Sequence, residues 1–193
     1  MKLIKKTLLY FLISFAFTCT NAFSNDLTNI IEKINKINSI KFSFIQDTNH
    51  KIETGNCLLL FPNKMKCFYF DNKKKELIIN DNRMAISLKK YNKVYYYSAS
   101  KSPLIKILNK DQLIKLIKAG SLKRNAQQIE ITSSMNIDQK TTILFDRDNY
   151  LLSGWKIKDQ FNNNISFLIK TIKINEKYEK VIFKIPKVIK RQN

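Results

Sequence analysis

Three cysteines and one histidine are the side chains here best suited to soft-metal ligation or nucleophilic attack. His50 sits in the polar run Asp47-Thr48-Asn49-His50-Lys51, a setting in which a lone histidine is a solvated loop side chain. No Cys/His or His/carboxylate group has metal-ligand spacing, and no glycine-rich loop offers backbone N–H groups to a phosphate. Nothing marks out a Ser–Lys pair among so many lysines. The expectation is a protein that is not an enzyme and needs neither metal nor cofactor.

The cysteines read differently from one another. Met1 to Lys6 carries Lys2, Lys5 and Lys6, Leu8 to Phe17 is apolar, and Thr20-Asn21-Ala22 supplies residues suited to a cleavage site, which together predict a secretory signal over residues 1–22. The apolar run is far short of the roughly 20 residues a spanning helix needs. Cys19 follows it, yet Ala16 and Thr18 stand where an acylated lipoprotein cysteine wants a leucine and a small residue. Removing residues 1–22 from the 193 leaves 171, residues 23–193, enough for one domain with one sizeable core. Two cysteines remain in an oxidising compartment. Pairing two strands around Pro62 sets Cys57 opposite Cys67, within disulfide range; two buried free thiols are the other reading, and a one-residue slip in register would favour it.

The net charge of +20 would ordinarily suggest nucleic acid or an anionic surface. The three lysines lost with the signal leave +17, spread along every segment, with Lys73-Lys74-Lys75 as the only tight run. That distribution reads as a solvated basic surface with no nucleic-acid partner. Transient attraction to anionic headgroups or acidic proteins is the remaining reading.

Leu27, Ile30, Ile31, Ile34 and Ile37 have helical spacing, with Asn25 available as N-cap and Asp26 in the first turn. Strand-like runs follow at 40–47, 52–61, 65–71, 76–80, 83–88 and 93–98. Between Ser102 and Gly120 the pattern is helical, with Asp111 as N-cap and Gly120 as the stop, and strands resume at 127–134, 139–146, 151–158, 164–174 and 181–185. The tail from Lys187 to Asn193 reads as frayed. With no repeat or linker, the economical fold is mainly β (α+β), one antiparallel sheet interrupted by a helical insertion. Leu58-Leu59-Leu60-Phe61 and Phe68-Tyr69-Phe70 are apolar on both faces, so both sides must be covered, at least locally. A strongly curved sheet forming an unclosed β-barrel, with an N-terminal helix and a helical lid, meets that demand and leaves an apolar hollow. An ordinary filled core is the plainer alternative.

Ile40-Lys41-Phe42-Ser43-Phe44-Ile45-Gln46 is followed by Gly55-Asn56-Cys57-Leu58-Leu59-Leu60-Phe61-Pro62, then Asn63-Lys64-Met65-Lys66-Cys67, then Ile78-Ile79-Asn80-Asp81-Asn82. This order resembles the LolA family of periplasmic lipoprotein carriers, whose pattern is a helix, an "sF.Q" strand, a "G.l.l.rP..f.w.y" hairpin and an "ilvsDG" strand. Ser102-Pro103-Leu104 falls where the family has "tP..l" before its lid. Asp159-Gln160-Phe161-Asn162 and Phe183-Lys184-Ile185-Pro186 resemble its closing elements. The resemblance spans nearly all of residues 23–193.

It implies a monomeric periplasmic chaperone that carries acylated lipoproteins from a LolCDE-type inner-membrane transporter to a LolB-like outer-membrane receptor. A general periplasmic lipid shuttle, a LolB-like outer-membrane acceptor and a lipoprotein-sensing adaptor are further roles on the same fold. The family match makes the face carrying Cys57, Leu59, Phe61, Met65, Cys67 and Tyr69 the concave one and adds Phe44 as an inward aromatic. Leu104, Ile105, Leu108, Leu113, Leu116 and Ile117 then form the underside of the lid. Three residues depart from the pattern: Phe61 replaces an arginine thought to tie sheet to lid, Asn82 replaces the glycine of the "DG" turn, and Cys67 replaces an aromatic. A lid held by apolar contact alone opens against a different energy balance.

Overall fold

The computed structural model describes residues 21–136, 139–159 and 161–187. Cys19 and the rest of the expected secretory signal up to residue 20 lie outside the described residues, as does the tail from residue 188. Helix α1 (Asn21–Lys36) places Lys33 and Lys36 in its last turn, where cations meet the negative end of the helix dipole. Asn25 therefore lies inside the helix and does not cap it. Its apolar stripe buries Ile30 and Ile34 against the sheet, and Ile37, just past the end, joins the same core.

Six strands follow as a meander: β1 (Ser39–Thr48), β2 (Lys51–Leu60), β3 (Lys64–Tyr69), β4 (Lys75–Asn80), β5 (Arg83–Leu88) and β6 (Lys93–Ser98). Two short helices come next, α2 (Leu104–Ile107) and α3 (Lys110–Ala119). A second meander closes the chain: β7 (Ser121–Arg124), β8 (Gln128–Asn136), β9 (Gln139–Asp146), β10 (Leu152–Lys158) and β11 (Asn164–Ile174). All eleven strands make one antiparallel sheet in the order β6-β5-β4-β3-β2-β1-β11-β10-β9-β8-β7. The sheet is strongly curved and does not close, with β6 and β7 as its edges, and the helices lie across its concave side.

Several boundaries depart from the sequence reading. Asn109, not Asp111, caps α3, its Oδ1 accepting the Gln112 N–H at 3.1 Å. Gly120 ends that helix at φ −86°, so no left-handed turn demands glycine there. A Cβ would instead come within 2.5 Å of an Ile131 methyl, and close approach is the reason for the glycine. Strand β7 escaped notice because Ser-Leu-Lys-Arg carries one apolar residue. The strand expected at 181–185 is instead a 3-10 turn, Lys180–Phe183, which lies across the sheet and does not pair along either edge.

That turn packs on β3 and β4 with Phe183 fully buried, and Pro186 O accepts the Tyr96 hydroxyl at 2.8 Å. The segment after β11 thus crosses the convex face from β3 to β6. Ile78 and Ala85, paired to each other and facing away from the hollow, are buried on that side. This is how strands apolar on both faces are accommodated. Elsewhere the convex face is open, and Ile45 and Leu168, directly opposed, remain exposed.

Candidate functional site

Alternation along the strands decides what faces inward. In β1 the even positions Phe42 and Phe44 are buried while Lys41 and Ile45 are exposed. The register carries this face across the sheet, pairing Phe44 with Ile169 on one side and Gly55 on the other, and Gly55 with Tyr69. The aromatic rings so aligned stack. Trp155 and Phe167 are parallel at 4.4 Å, Phe167 and Phe44 at 4.7 Å, and Tyr69 meets Phe44 edge-on at 5.0 Å. Gly55 permits the row, since a Cβ there would lie 2.7 Å from the Phe44 ring and 2.1 Å from Phe68 O.

A hollow of about 310 Å³ opens beside this row. Trp155, Phe167 and Tyr69 form its floor; Met65, Leu77, Met84 and Ile86 one wall; Ile157 and Ile165 the other; Leu104 and Ser102 of the helical insertion the roof. The polar groups collect at one end, where Gln46, Thr48, Lys51, Glu53 and Lys75 ring the mouth with Asp159 and Phe161. Tyr69 donates its hydroxyl proton to Gln46 Oε1 at 2.8 Å, and Gln46 Nε2 donates to Thr48 Oγ1 at 2.9 Å. Lys75 pairs with Glu53 while its ammonium sits 3.7 Å from the Tyr69 ring centroid. Burial, and then the carboxylates of Glu53 and Asp71, push the Tyr69 hydroxyl well above the ordinary tyrosine range. Phe161 reaches across the mouth to Tyr97 of β6, ring to ring at 6.2 Å.

The expected cavity residues divide into two groups. Met65, Tyr69 and Leu104 line the hollow, and Phe44 is one layer back in the aromatic row. Cys57, Leu59, Cys67, Leu108, Leu113, Leu116 and Ile117 are packed into the core between sheet and helices, and Phe61 and Ile105 are half-buried against it. A disulfide joins Cys57 to Cys67, cross-strand partners with Cα atoms 4.1 Å apart. The reading overlooked the walls from β4, β5, β10 and β11. Their alternation, Met84 with Ile86, Trp155 with Ile157 and Ile165 with Phe167, was visible, but not which strands pair.

At Phe61, where the resemblance leads one to expect an arginine, the tie between hairpin and lid runs through the backbone. The Asn63 N–H donates to Leu108 O at 2.8 Å. Lys110, at the start of α3, donates to Asn35 O and Asn38 Oδ1, both at 3.2 Å, with its ammonium 5.6 Å from the Phe61 ring centroid. Partial burial lowers the Lys110 pKa, an effect opposed by Asp111. His50 lies on the outer face in a shallower groove of about 530 Å³ whose walls include Asp47, Lys140 and Lys156. Among the described residues no three His, Cys, Asp or Glu side chains group as metal ligands, and no helix is long and apolar enough to cross a membrane.

The architecture is thus that of an unclosed antiparallel barrel with helices over an apolar hollow. The chain belongs to the outer membrane lipoprotein carrier protein LolA family, whose model matches residues 35–186. In shape it is similar to the lipoprotein LppX of Mycobacterium tuberculosis, at 12% identity over 83% of this chain and 98% of that one, TM-score 0.48. It is also similar to a LolA superfamily protein from Nitrosomonas europaea, at 9% identity, 82% and 97% coverage and TM-score 0.44. Pseudomonas aeruginosa MucB, solved in complex with MucA, matches at 12% identity and TM-score 0.47, over 86% of this chain and 62% of that one. No curated protein sequence matches significantly.

Proposed function

We propose that the chain is a periplasmic, non-enzymatic and monomeric carrier that binds the acyl chains of lipoproteins and moves them from the inner to the outer membrane. A LolCDE-type transporter would supply the cargo and a LolB-like receptor would accept it. The observation that carries the reading is the hollow itself: an aromatic floor, aliphatic walls, and charged side chains confined to the mouth. Such a site takes an alkyl chain and leaves a polar head in water. Burial contributes about 0.8 kcal/mol per CH₂, so no fixed polar contact is needed for useful affinity.

The volume favours one second reading. About 310 Å³ is at the low end for ligand sites, room for part of one chain. A shuttle that inserts part of a single chain fits it as the structure stands, whereas a multiply acylated lipoprotein requires the helices to move off the sheet. Native mass spectrometry of the protein isolated from periplasm separates the two. Co-purified acylated polypeptide supports the carrier, free lipid alone supports the shuttle, and neither species in any preparation removes both.

We further propose cleavage after Ala22 with no lipid on Cys19, because Ala16 and Thr18 fit an acylation signal poorly. Intact-mass measurement of the mature protein checks this. A diacylglyceryl group on Cys19 would move the assignment to an anchored, LolB-like acceptor.

A further inference from the structure

Up-and-down connectivity puts alternate hairpin turns at the same end of a sheet, and the turns gathered at the mouth share a composition. Among those whose residues are all described or nearly so, these are the β1–β2, β3–β4, β5–β6 and β10–β11 turns; the β8–β9 turn, at the same end, lies outside the described residues. They are tied in pairs: the Lys90 N–H donates to Lys73 O at 3.2 Å, and the Asn49 N–H donates to Asn164 O at 3.2 Å. At or beside three of the tips stands an exposed aromatic residue: Phe70 at 67% exposure, Tyr91 at 49% and Phe161 at 64%.

The charges around those tips are sorted. Asp71 Oδ1 accepts the Lys73 and Lys75 N–H groups at 3.1 and 3.0 Å, and Asp159 Oδ1 accepts those of Phe161 and Asn163 at 2.8 and 2.9 Å. Asp47 caps its own turn in the same way through the His50 N–H. Glu53 and Glu76 are taken up by Lys75 and Lys89. The acids are thus directed into the backbone or into pairs. Lys73, Lys74 and Lys90 are exposed and form no ion pair among the described residues.

We propose that this end of the barrel is a docking surface for an anionic lipid bilayer, seating the mouth of the hollow on the headgroup layer. Aromatic side chains at loop tips enter the interfacial region, and the lysines between them meet anionic headgroups. A chain leaving the hollow past Phe161 then passes into the bilayer without crossing water. An acidic protein would account for the lysines but would leave three separate aromatic tips without a use. The inference rests on the acyl-binding reading only in making the mouth the point of exchange.

Two measurements on the same full-length mature variants test it. The first is co-sedimentation with vesicles of phosphatidylcholine alone and of roughly equal parts phosphatidylcholine and phosphatidylglycerol. The second is displacement of a fluorescent fatty acyl probe in solution. The wild type should bind only the anionic vesicles, and less so as salt rises. Lys73→Glu/Lys90→Glu should lower that binding by at least about tenfold, and Phe70→Ala by a few-fold with the salt slope retained. All should still bind the probe, which shows that fold and hollow are intact. A wild type that ignores anionic vesicles, binds both kinds alike, or loses nothing in the double variant overturns the docking surface. Failure of the wild type to bind the probe overturns the acyl reading instead.

Discussion

At the scale of single residues, Met65 and Leu59 separate binding from stability although they share a face. Leu59 is fully buried among core residues, so Leu59→Asp places an unpaired carboxylate where no ligand reaches and should unfold the protein. Met65 also lines the hollow, as does the half-buried Met84. Met84→Asp should leave circular dichroism native and abolish acyl-probe binding, whereas Lys73→Glu/Lys74→Glu should leave solution binding nearly unchanged; a folded Met84→Asp that binds normally would place the chain elsewhere. Trp155, the only tryptophan, lies in the floor and offers a direct readout, with emission expected to shift as a chain enters. Tyr69 supplies a pH signature. Its folded pKa is raised, so below the ordinary value near 10 both states keep the proton and stability is undiminished. Above that value only the unfolded chain ionises, and stability falls as pH climbs toward the folded pKa. Tyr69→Phe should flatten that alkaline decline in urea melts, while its lost bond to Gln46 costs about 1 kcal/mol at neutral pH.

At the scale of elements, the β2–β3 hairpin and the α2–α3 lid form the working joint. The bridge between Cys57 and Cys67 lies beneath the lid with both residues buried, so reduction should require the lid to open. Closing so short a loop contributes at most about 2 to 3 kcal/mol through chain entropy. Non-reducing peptide mapping should recover the two cysteines in one linked fragment, and thiol labelling without reductant should find neither. The lid is held by apolar burial, by the Asn63 to Leu108 backbone bond and by Lys110 across the end of α1. Lys110→Ala should lower the opening free energy by about 1 kcal/mol, seen as faster hydrogen exchange in α3 and faster probe uptake, without altering exchange in β10. Much of this joint was legible in advance: the hairpin register follows from Pro62 and Asn63, and the lid from the spacing of Leu104, Leu108, Leu113 and Ile117. The use of lysine and backbone in place of the arginine implied by the resemblance was not, because Lys110 acts through the Asn35 carbonyl of α1 and the Asn38 side chain just past it, which sequence spacing cannot locate.

At the scale of the whole molecule, the two meanders meet at one seam. β1 pairs with β11 from Ile40 opposite Ile174 to Thr48 opposite Ile165, joining strands more than a hundred residues apart. Local alternation predicted nearly every strand, but it carries no information about a pairing at that separation, and so the hollow's second wall stayed hidden. The seam also sets the energetics. Its closure entropy must be met before its contacts form, which makes the β1–β11 pair a late and cooperative event. Phe167, on β11, touches Phe42, Phe44 and Trp155, so the seam holds the aromatic row together. A chain ending at residue 163 keeps ten of the eleven strands yet turns β1 and β10 into edges with one neighbour each and splits the sheet in two. It should be unfolded by circular dichroism, with Trp155 emission at the wavelength of solvated indole. In the full chain, amides of β1 and β11 should exchange at one common free energy equal to that of global unfolding, while those of the edge strands β6 and β7 exchange through local opening. If the truncated chain gives native-like circular dichroism, or if β1 amides exchange well before those of β8 and β9, the seam is not the cooperative centre and the two meanders fold as separate units.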